Sequence, residues 1–184
     1  MLSAEYQGKP VSYWVAEAKS ARGRKEPARI VEALTAALSD EVAEVRVAAA
    51  DALGELGPSA KPAAAALVAQ LDHDSAWLRT AASETLGALG KDALPELVEG
   101  FKKMPVAAKV RIALILGGLG PEARSVVPFL RDQAKGEAAA IADRIEGTIA
   151  EIEGSDSDSG KRGAGGTKQA ALDAEGADGF TALF

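Results

Sequence analysis

The sequence has no cysteine, one histidine and few aromatic side chains, and each shortage excludes a class of function. Without cysteine the chain forms no disulfides and offers no thiolate nucleophile or thiolate metal ligand. A site that needs two imidazoles cannot be built from the single His73. Aromatic residues make up 4% of the chain, which is low for a β-sandwich because strands favour aromatic and branched side chains.

Basic residues are also scarce: 21 lysines and arginines stand against 27 acidic residues, so the formal net charge is −6. Broad nucleic-acid binding needs a basic surface, and we therefore expect no nucleic-acid partner. The most apolar run, residues 112–119, is far shorter than the ~20 residues of a membrane-spanning helix, so we expect no membrane partner. The first residues lack the basic start and apolar run of a signal peptide. The cytoplasm is the default expectation, with export if the true N-terminus lies upstream.

What the sequence does contain is an internal repeat. Residues 45–57 and 78–90 are near-copies that lie 33 residues apart, and a third copy follows 30 residues later. Each copy has a cation near its start (Arg46, Arg79 and Lys109) and ends in the pattern Leu-Gly-x-Leu-Gly. A fixed period of this size predicts an array of stacked helices.

Apolar spacing and helix breakers divide the rest of the chain. Apolar residues recur on one face of residues 11–18, which predicts a capping helix after a polar lead at 1–9. Further helices are predicted at 27–38, 61–71, 94–102, 125–133 and 138–153. Gly57, Gly90 and Gly120 are predicted to stop the repeat helices, because glycine takes the left-handed position past a helix end at no steric cost. Residues 1–153 are therefore predicted to form a repeat domain, and the Gly/Ser-rich residues 154–184 a flexible linker and tail.

The period, the Val-Arg or Leu-Arg opening and the Leu-Gly-x-Leu-Gly ending resemble HEAT repeats, specifically the short bacterial type named after phycobilisome lyases. The resemblance covers residues 27–153. It implies an all-α fold, a right-handed α-solenoid of about four helix pairs with a disordered C-terminal tail. Ala142 and Asp143 depart from the Val-Arg opening, and Gly147 is expected to interrupt the last helix, so the fourth repeat is interpreted as an end cap.

Residues 178–184, Asp-Gly-Phe-Thr-Ala-Leu-Phe, are similar to the first strand of the 3-keto-disaccharide hydrolase domain. This resemblance implies that the chain is the front piece of a larger carbohydrate-active protein. None of that domain's functional residues lies in this sequence. The same segment is alternatively a docking peptide at the end of the tail.

Two polar clusters are candidates for chemistry. His73 lies between Asp72 and Asp74, but consecutive turn residues point in different directions, so a turn and helix-cap role is preferred to a metal or acid–base site. Residues 22–25, Arg-Gly-Arg-Lys, are interpreted as a solvated basic loop in preference to an anion contact, because the loop lacks interleaved aromatic residues.

The repeated arginines and glycines also have two interpretations. Arg46 and Arg79 form either a basic stripe for an acidic ligand or, as we prefer, a polar ladder to acidic side chains such as Glu44 and Asp74. The first glycine of each Leu-Gly-x-Leu-Gly ending is interpreted as a site of close helix packing, because no strand precedes it and the Lys and Ser/Thr of a phosphate-binding loop are missing. These glycines are Gly54, Gly87 and Gly117.

The sequence therefore predicts a protein-interaction scaffold or adaptor that is not an enzyme, binds a protein or peptide, needs no cofactor or metal, and is a monomer. Outward positions of the second helices are the candidate contacts, together with Trp77, which should be more exposed than Trp14. The positions are Gln70, Glu96, Glu99 and Arg131. Two alternatives stay open, an accessory fragment of the carbohydrate-active protein and a lyase-like enzyme on a HEAT scaffold. A DNA-binding scaffold of the alkylpurine-glycosylase kind fits the acidic balance poorly.

Overall fold

A computed structural model describes residues 5–20 and 27–154 of the chain. The helices within these residues are α1 (Val11–Lys19), α2 (Pro27–Ala37), α3 (Ala43–Leu56), α4 (Ala64–Gln70), α5 (Ala76–Leu89), α6 (Leu94–Lys103), α7 (Val106–Leu119), α8 (Val127–Ala134) and α9 (Ala139–Gly154). The three sequence copies form α3, α5 and α7, each of 14 residues. The prediction of an all-α array of stacked helix pairs is confirmed.

The helices lie in two layers with the core between them. Helices α1, α3, α5, α7 and α9 stack side by side as the front layer, and α2, α4, α6 and α8 form the back layer. Six fully buried leucines face one another across the layers: Leu53, Leu86 and Leu116 from the front, and Leu67, Leu97 and Leu130 from the back. Burying each leucine stabilises the fold by roughly 1.5–3 kcal/mol, so this row holds the two layers together.

The three predicted stop glycines end the front helices in the same way. The φ angles of Gly57, Gly90 and Gly120 are +55°, +61° and +54°, as predicted. Their ψ angles lie near −130°, however, which is the mirror image of extended backbone and not the left-handed helical region. A 3₁₀ segment follows each glycine, as in Gly57–Ala63. The predicted helix at 61–71 therefore begins later, at Ala64, because the 3₁₀ segment takes its first residues.

The N-terminal segment is not a polar lead but a small hairpin. Strands β1 (Glu5–Tyr6) and β2 (Lys9–Pro10) pair antiparallel. Gln7 and Gly8 between them both have positive φ, +52° and +72°, as a two-residue primed turn requires. The Trp14 indole donates to the backbone carbonyl of Tyr6 at 2.7 Å, and the Tyr6 hydroxyl donates to the carboxylate of Asp40, which is buried. The hairpin is thereby attached to the first end of the described stack.

Helix α9 closes the other end of the described stack. It packs on α7 and α8 through four buried isoleucines, as predicted: Ile141, Ile145, Ile149 and Ile152. The expected interruption at Gly147 is wrong, because α9 runs through this residue from Ala139 to Gly154 without a break. One glycine costs a helix interior roughly 0.5–1 kcal/mol, which the burial of the isoleucines outweighs.

Residues Val106–Ala134 are the one described segment long and apolar enough for a membrane span, with a mean hydropathy of 1.2. In the fold this segment is two helices, because α7 ends at Leu119 and Gly120 turns the chain. Ile112, Leu116 and Leu130 within it are fully buried in the stack. The apolar composition of this segment accordingly corresponds to core packing.

Two regions singled out in the sequence lie outside the described residues. One is the basic loop that contains Arg22, Arg24 and Lys25. The other is the Gly/Ser-rich tail after Gly154, with the segment 178–184 that resembles a hydrolase strand. The interpretations of these regions stay predictions.

Candidate protein-binding face

Three of the four joints between the described front-layer helices fall into two kinds. At the α3–α5 joint, the Thr85 hydroxyl donates to the backbone carbonyl of Ala50 on the neighbouring helix at 2.9 Å. At the α7–α9 joint, Thr148 makes the same bond to Ala113 at 3.3 Å. Both threonines are buried. We call these the closed joints, because a hydroxyl can reach the neighbouring backbone only where two helices approach closely.

The α5–α7 joint is open. Ile115 occupies the position that corresponds to Thr85 and Thr148, and α5 and α7 pack less closely than the helices of the closed joints. A Cβ atom added to Gly54 would lie 3.1 Å from the Thr85 hydroxyl, whereas one added to Gly87 would meet nothing within 4 Å. The close-packing interpretation is thus confirmed for Gly54 and wrong for Gly87.

A cleft of about 460 Å³ lies where the open joint ends, at the C-terminal ends of α5 and α7. Its lining includes Gly87, Gly118 and three charged residues, Lys91, Asp92 and Glu122. Two of the charged groups are engaged in structure: Glu122 accepts from the backbone N–H of Lys91 at 3.2 Å, and Asp92 pairs with Lys61 at 3.3 Å. These bonds link successive repeats along the edge of the stack.

Exposed apolar side chains are concentrated on the helices of the front layer, whose outward surface we call the front face. Among the described residues, every large hydrophobic side chain with substantial exposure belongs to a front-layer helix or its N-cap: Tyr13, Val42, Trp77, Val106 and Leu114. Trp77 is 80% exposed and Trp14 is 4% exposed, so the predicted contrast between the tryptophans is confirmed. Large exposed apolar side chains that adjoin one another mark interaction sites in soluble proteins, and Trp77 is the most exposed of the five.

The front face also has an uneven charge distribution. Helix α3 presents three exposed carboxylates, Glu44, Asp51 and Glu55, and α5 adds Glu84. Neighbouring atoms partly shield the Asp51 carboxylate from solvent, and this desolvation raises its pKa, with the Lys19 charge opposing that shift and Glu55 adding to it. The exposed outward positions of α7 carry no charge: Ala107, Leu114 and Gly118. The half-buried Arg111 lies on the same face of α7 and donates to the Leu71 carbonyl at 3.1 Å. The face therefore changes from acidic at α3 to apolar at α7.

The predicted contact residues divide between the two faces of the described structure. Trp77 lies on the front face, whereas Gln70, Glu96, Glu99 and Arg131 lie on α4, α6 and α8 of the back layer. Glu99 pairs with Lys102 at 2.7 Å and Lys103 at 3.3 Å, and the Lys102 hydrogen bond lowers its pKa. Arg131 pairs with both carboxylate oxygens of Glu153, at 2.8 and 3.0 Å.

The back layer has its own groove, of about 630 Å³, between α4 and α6. Glu96 and Glu99 lie along it, with Val68 and Met104 among its apolar walls. Glu96 and Gln70 are half-buried, so they present less surface to a partner than their outward positions suggest.

The predicted ladder of Arg46 and Arg79 to acidic side chains is wrong. Arg46 donates to the backbone carbonyls of Asp40 and Glu41 at 2.6 and 3.1 Å. Arg79 donates to the carbonyls of His73 and Asp74, both at 2.9 Å. Each arginine therefore fastens the loop before its own helix. The bare sequence does not show that the acceptors are main-chain oxygens.

Lys109, at the third equivalent position, differs from the two arginines. Its ammonium pairs with the Glu137 carboxylate, before α9, and lies 5.5 Å from the centre of the Phe101 ring. Both charged side chains are mostly buried. Here the equivalent cation bridges two repeats.

The turn and cap role of His73 is confirmed. Its Nδ1 accepts from the backbone N–H of Ser75 at 3.0 Å, and the Ser75 hydroxyl accepts from Leu78 at the start of α5. Across residues 5–20 and 27–154, no group of three or more histidines and carboxylates is placed to hold a metal ion. His73 and Ser75 thus stabilise the loop before α5 and the first turn of that helix.

A comparison with known protein families assigns the repeats to one family. The family model for HEAT repeats matches residues 16–87 and 31–117, which together span more than half of the 184 residues. No curated protein matches the chain significantly. HEAT repeats are commonly protein-interaction scaffolds.

Proposed function

We propose, for a chain that belongs to the HEAT-repeat family, that it is a non-enzymatic adaptor which binds a protein partner on its front face. The observation that supports this choice of face is the placement of the exposed large hydrophobic side chains. Among the described residues all five belong to the front layer. The partner-contact set therefore keeps Trp77 and adds Leu114 and Glu84 from the same face.

The spacing of the helices supports the same face. Alanine, glycine and threonine let the helices of the closed joints approach closely, whereas the backbones of α6 and α8 in the back layer lie farther apart and meet through the rings of Phe101 and Phe129. A stack bends toward the layer in which its helices lie closer together. We infer that the front face is the concave side, the extended surface that repeat proteins offer to partners.

The polar groups of the cleft at the open joint support an adaptor over a lyase-like enzyme. A general acid or base must lie within hydrogen-bond reach of a substrate proton. Glu122 and Asp92 instead bond to the backbone of Lys91 and to Lys61. We assign both carboxylates to holding successive repeats together.

Site-specific photo-crosslinking in the source organism tests the proposal. A benzophenone amino acid replaces Glu84 on the front face or, as a matched control, Glu32 on α2 in the back layer; both are exposed helix residues. We expect a discrete crosslinked protein from position 84 and none from position 32. Crosslinks from position 32 alone would move the site to the back face, and none from either position would contradict an adaptor role.

A further inference from the structure

We propose that the partner segment bound by the front face is a basic amphipathic helix that lies along α5, its basic side toward α3 and its apolar side toward α7. This inference rests on the proposed function and names the chemistry of the partner. Helix-in-groove binding is one of the recurring ways in which proteins recognise peptides.

The first support is charge complementarity. Glu44, Asp51 and Glu55 lie at i, i+7 and i+11 of α3, which is one face of a helix, and Glu84 extends the acidic surface onto α5. Lys19 on α1 borders this surface and partly offsets Asp51. The surface as a whole remains acidic, so it attracts lysine and arginine side chains and repels carboxylates.

The second support is the uncharged surface opposite. The exposed outward positions of α7 carry only apolar or small side chains, and Leu114 at their centre is 43% exposed. The one cation on this face of α7, Arg111, is half-buried and donates to the Leu71 carbonyl. Trp77 stands at the start of α5, beside both surfaces. Aromatic residues that become buried on binding dominate interface energies, so Trp77 is the expected anchor for one end of the partner helix.

The third support is size. Stacked helices lie about 8–10 Å apart, so α3 and α7 are separated by about 16–20 Å across α5. A helix of ~10–12 Å diameter seated over α5 therefore meets both flanking surfaces. The outward residues Thr80 and Ala88 of α5 are small and permit this approach. Since α5 has 14 residues, the matching partner helix has about four turns.

A synthetic peptide tests the inference directly. The probe is a labelled 14-residue helix with lysines on one side and leucines on the other, titrated with the full chain by fluorescence anisotropy. We expect binding accompanied by a blue shift of tryptophan emission, which reports Trp77 because Trp14 is already buried. Trp77→Ala should weaken binding about tenfold, since an aromatic anchor that becomes buried on binding contributes more than about 1 kcal/mol.

Charge-matched variants distinguish binding at the front face from nonspecific attraction of a basic peptide to an acidic protein. Glu84→Lys and Glu32→Lys change the net charge equally, and both side chains are exposed. We expect Glu84→Lys to weaken binding of the lysine–leucine peptide about tenfold, and Glu32→Lys to change the affinity by less than about twofold. A peptide of the same composition in scrambled order should bind at least about tenfold more weakly, because its apolar side is lost.

Three results would overturn the inference: no peptide binding, equal weakening by both charge reversals, or unchanged tryptophan emission on binding. Its failure is distinct from that of the adaptor proposal. If position 84 crosslinks to a partner segment that is acidic or has no apolar side, the adaptor proposal stands and the basic amphipathic helix is wrong.

Discussion

The closed joints and the open joint differ at one equivalent position. Thr85 and Thr148 bond to the backbone of the helix before them, whereas Ile115 cannot. The three front helices that share the Leu-Gly-x-Leu-Gly ending therefore do not pack alike. The spacing of two repeats depends on the residue that faces the neighbouring helix, and the repeat signature alone does not set it.

This difference between the joints changes the shape of the surface beside them. A threonine is short enough to let the neighbouring backbone approach and bonds to it, while the larger Ile115 has no hydroxyl, and α5 and α7 pack less closely. Gly87 consequently has no neighbour within 4 Å, and a cleft opens beside it. The open joint is also where the acidic and apolar halves of the front face meet.

The largest effect is expected from Leu86→Asp, because α5 belongs to a closed joint and to the open joint. Leu86 is fully buried, and an unpaired buried carboxylate costs several kcal/mol, about 4 or more here. We expect loss of the helical circular dichroism signal and of cooperative urea unfolding. Leu114→Asp is the control, since Leu114 is 43% exposed and should leave the fold intact. Cooperative unfolding of Leu86→Asp near the parent midpoint would contradict the shared core.

The next prediction compares the closed joints, where the hydrogen bonds join neutral groups, with the first end of the described stack, where Tyr6 bonds to the ionisable Asp40. Tyr6→Phe removes the hydrogen bond to Asp40 and should cost about 1.5–3 kcal/mol at neutral pH. The Tyr6 hydroxyl is the main cause of the lowered pKa of Asp40, with the Val42 backbone N–H next. Because the pKa of Asp40 is lower in the folded state than its unfolded value of about 4, the charged carboxylate stabilises the fold above that pH. This stabilisation is lost as pH falls from the unfolded pKa through the folded one.

The difference between parent and Tyr6→Phe should therefore shrink as pH falls below about 4. Burial and the Asp40 carboxylate raise the pKa of Tyr6 from 10.0 to about 12, so the parent alone should lose this stability between those values as pH rises. Urea unfolding midpoints measured across the pH range check both the acidic and the alkaline prediction. Tyr13→Phe, on an exposed tyrosine, is the control; an equal loss there would refute the assignment to Tyr6.

A smaller effect is expected when a closed joint is given the residue of the open one. Thr85→Ile places extra bulk against Gly54 and should destabilise the fold by about 1–3 kcal/mol, because overpacking a tight contact forces backbone shifts. Thr80→Ile on the outward side of α5 should change stability by less than about 0.5 kcal/mol. Equal urea midpoints for the two variants would show that the α3–α5 joint is not closely packed.

The smallest effect is expected when two equivalent glycines, one at the open joint and one at a closed joint, are each replaced by alanine. Gly87→Ala adds a methyl group to open space and should stabilise α5 by roughly 0.5–1 kcal/mol through helix propensity. Gly54→Ala places its Cβ 3.1 Å from the Thr85 hydroxyl and should gain less or destabilise. Thermal unfolding of both variants measures the difference. A larger gain for Gly54→Ala would reverse the assignment of closed and open joints.

Local signals made the helices predictable. The apolar period placed α7 at residues 106–119, and the positive φ of Gly57, Gly90 and Gly120 was expected because glycine accepts it without strain. The hairpin was missed because its turn places Gln7, a residue with a Cβ atom, at positive φ. The hairpin is stabilised from a distance by Asp40, which lies 34 residues along the chain.

The sequence by itself determined the period, the buried leucines and the C-terminal ends of the three repeat helices, because each depends on residues within one or two turns of one another. Only the tertiary structure decided which joint is open, which carbonyls Arg46 and Arg79 bind, and that Trp77 and Glu99 lie on different layers. The physical reason is that the distance between two helices is set jointly by side chains about 30 residues apart. Their fit is a property of the packed pair and cannot be assigned to either helix alone.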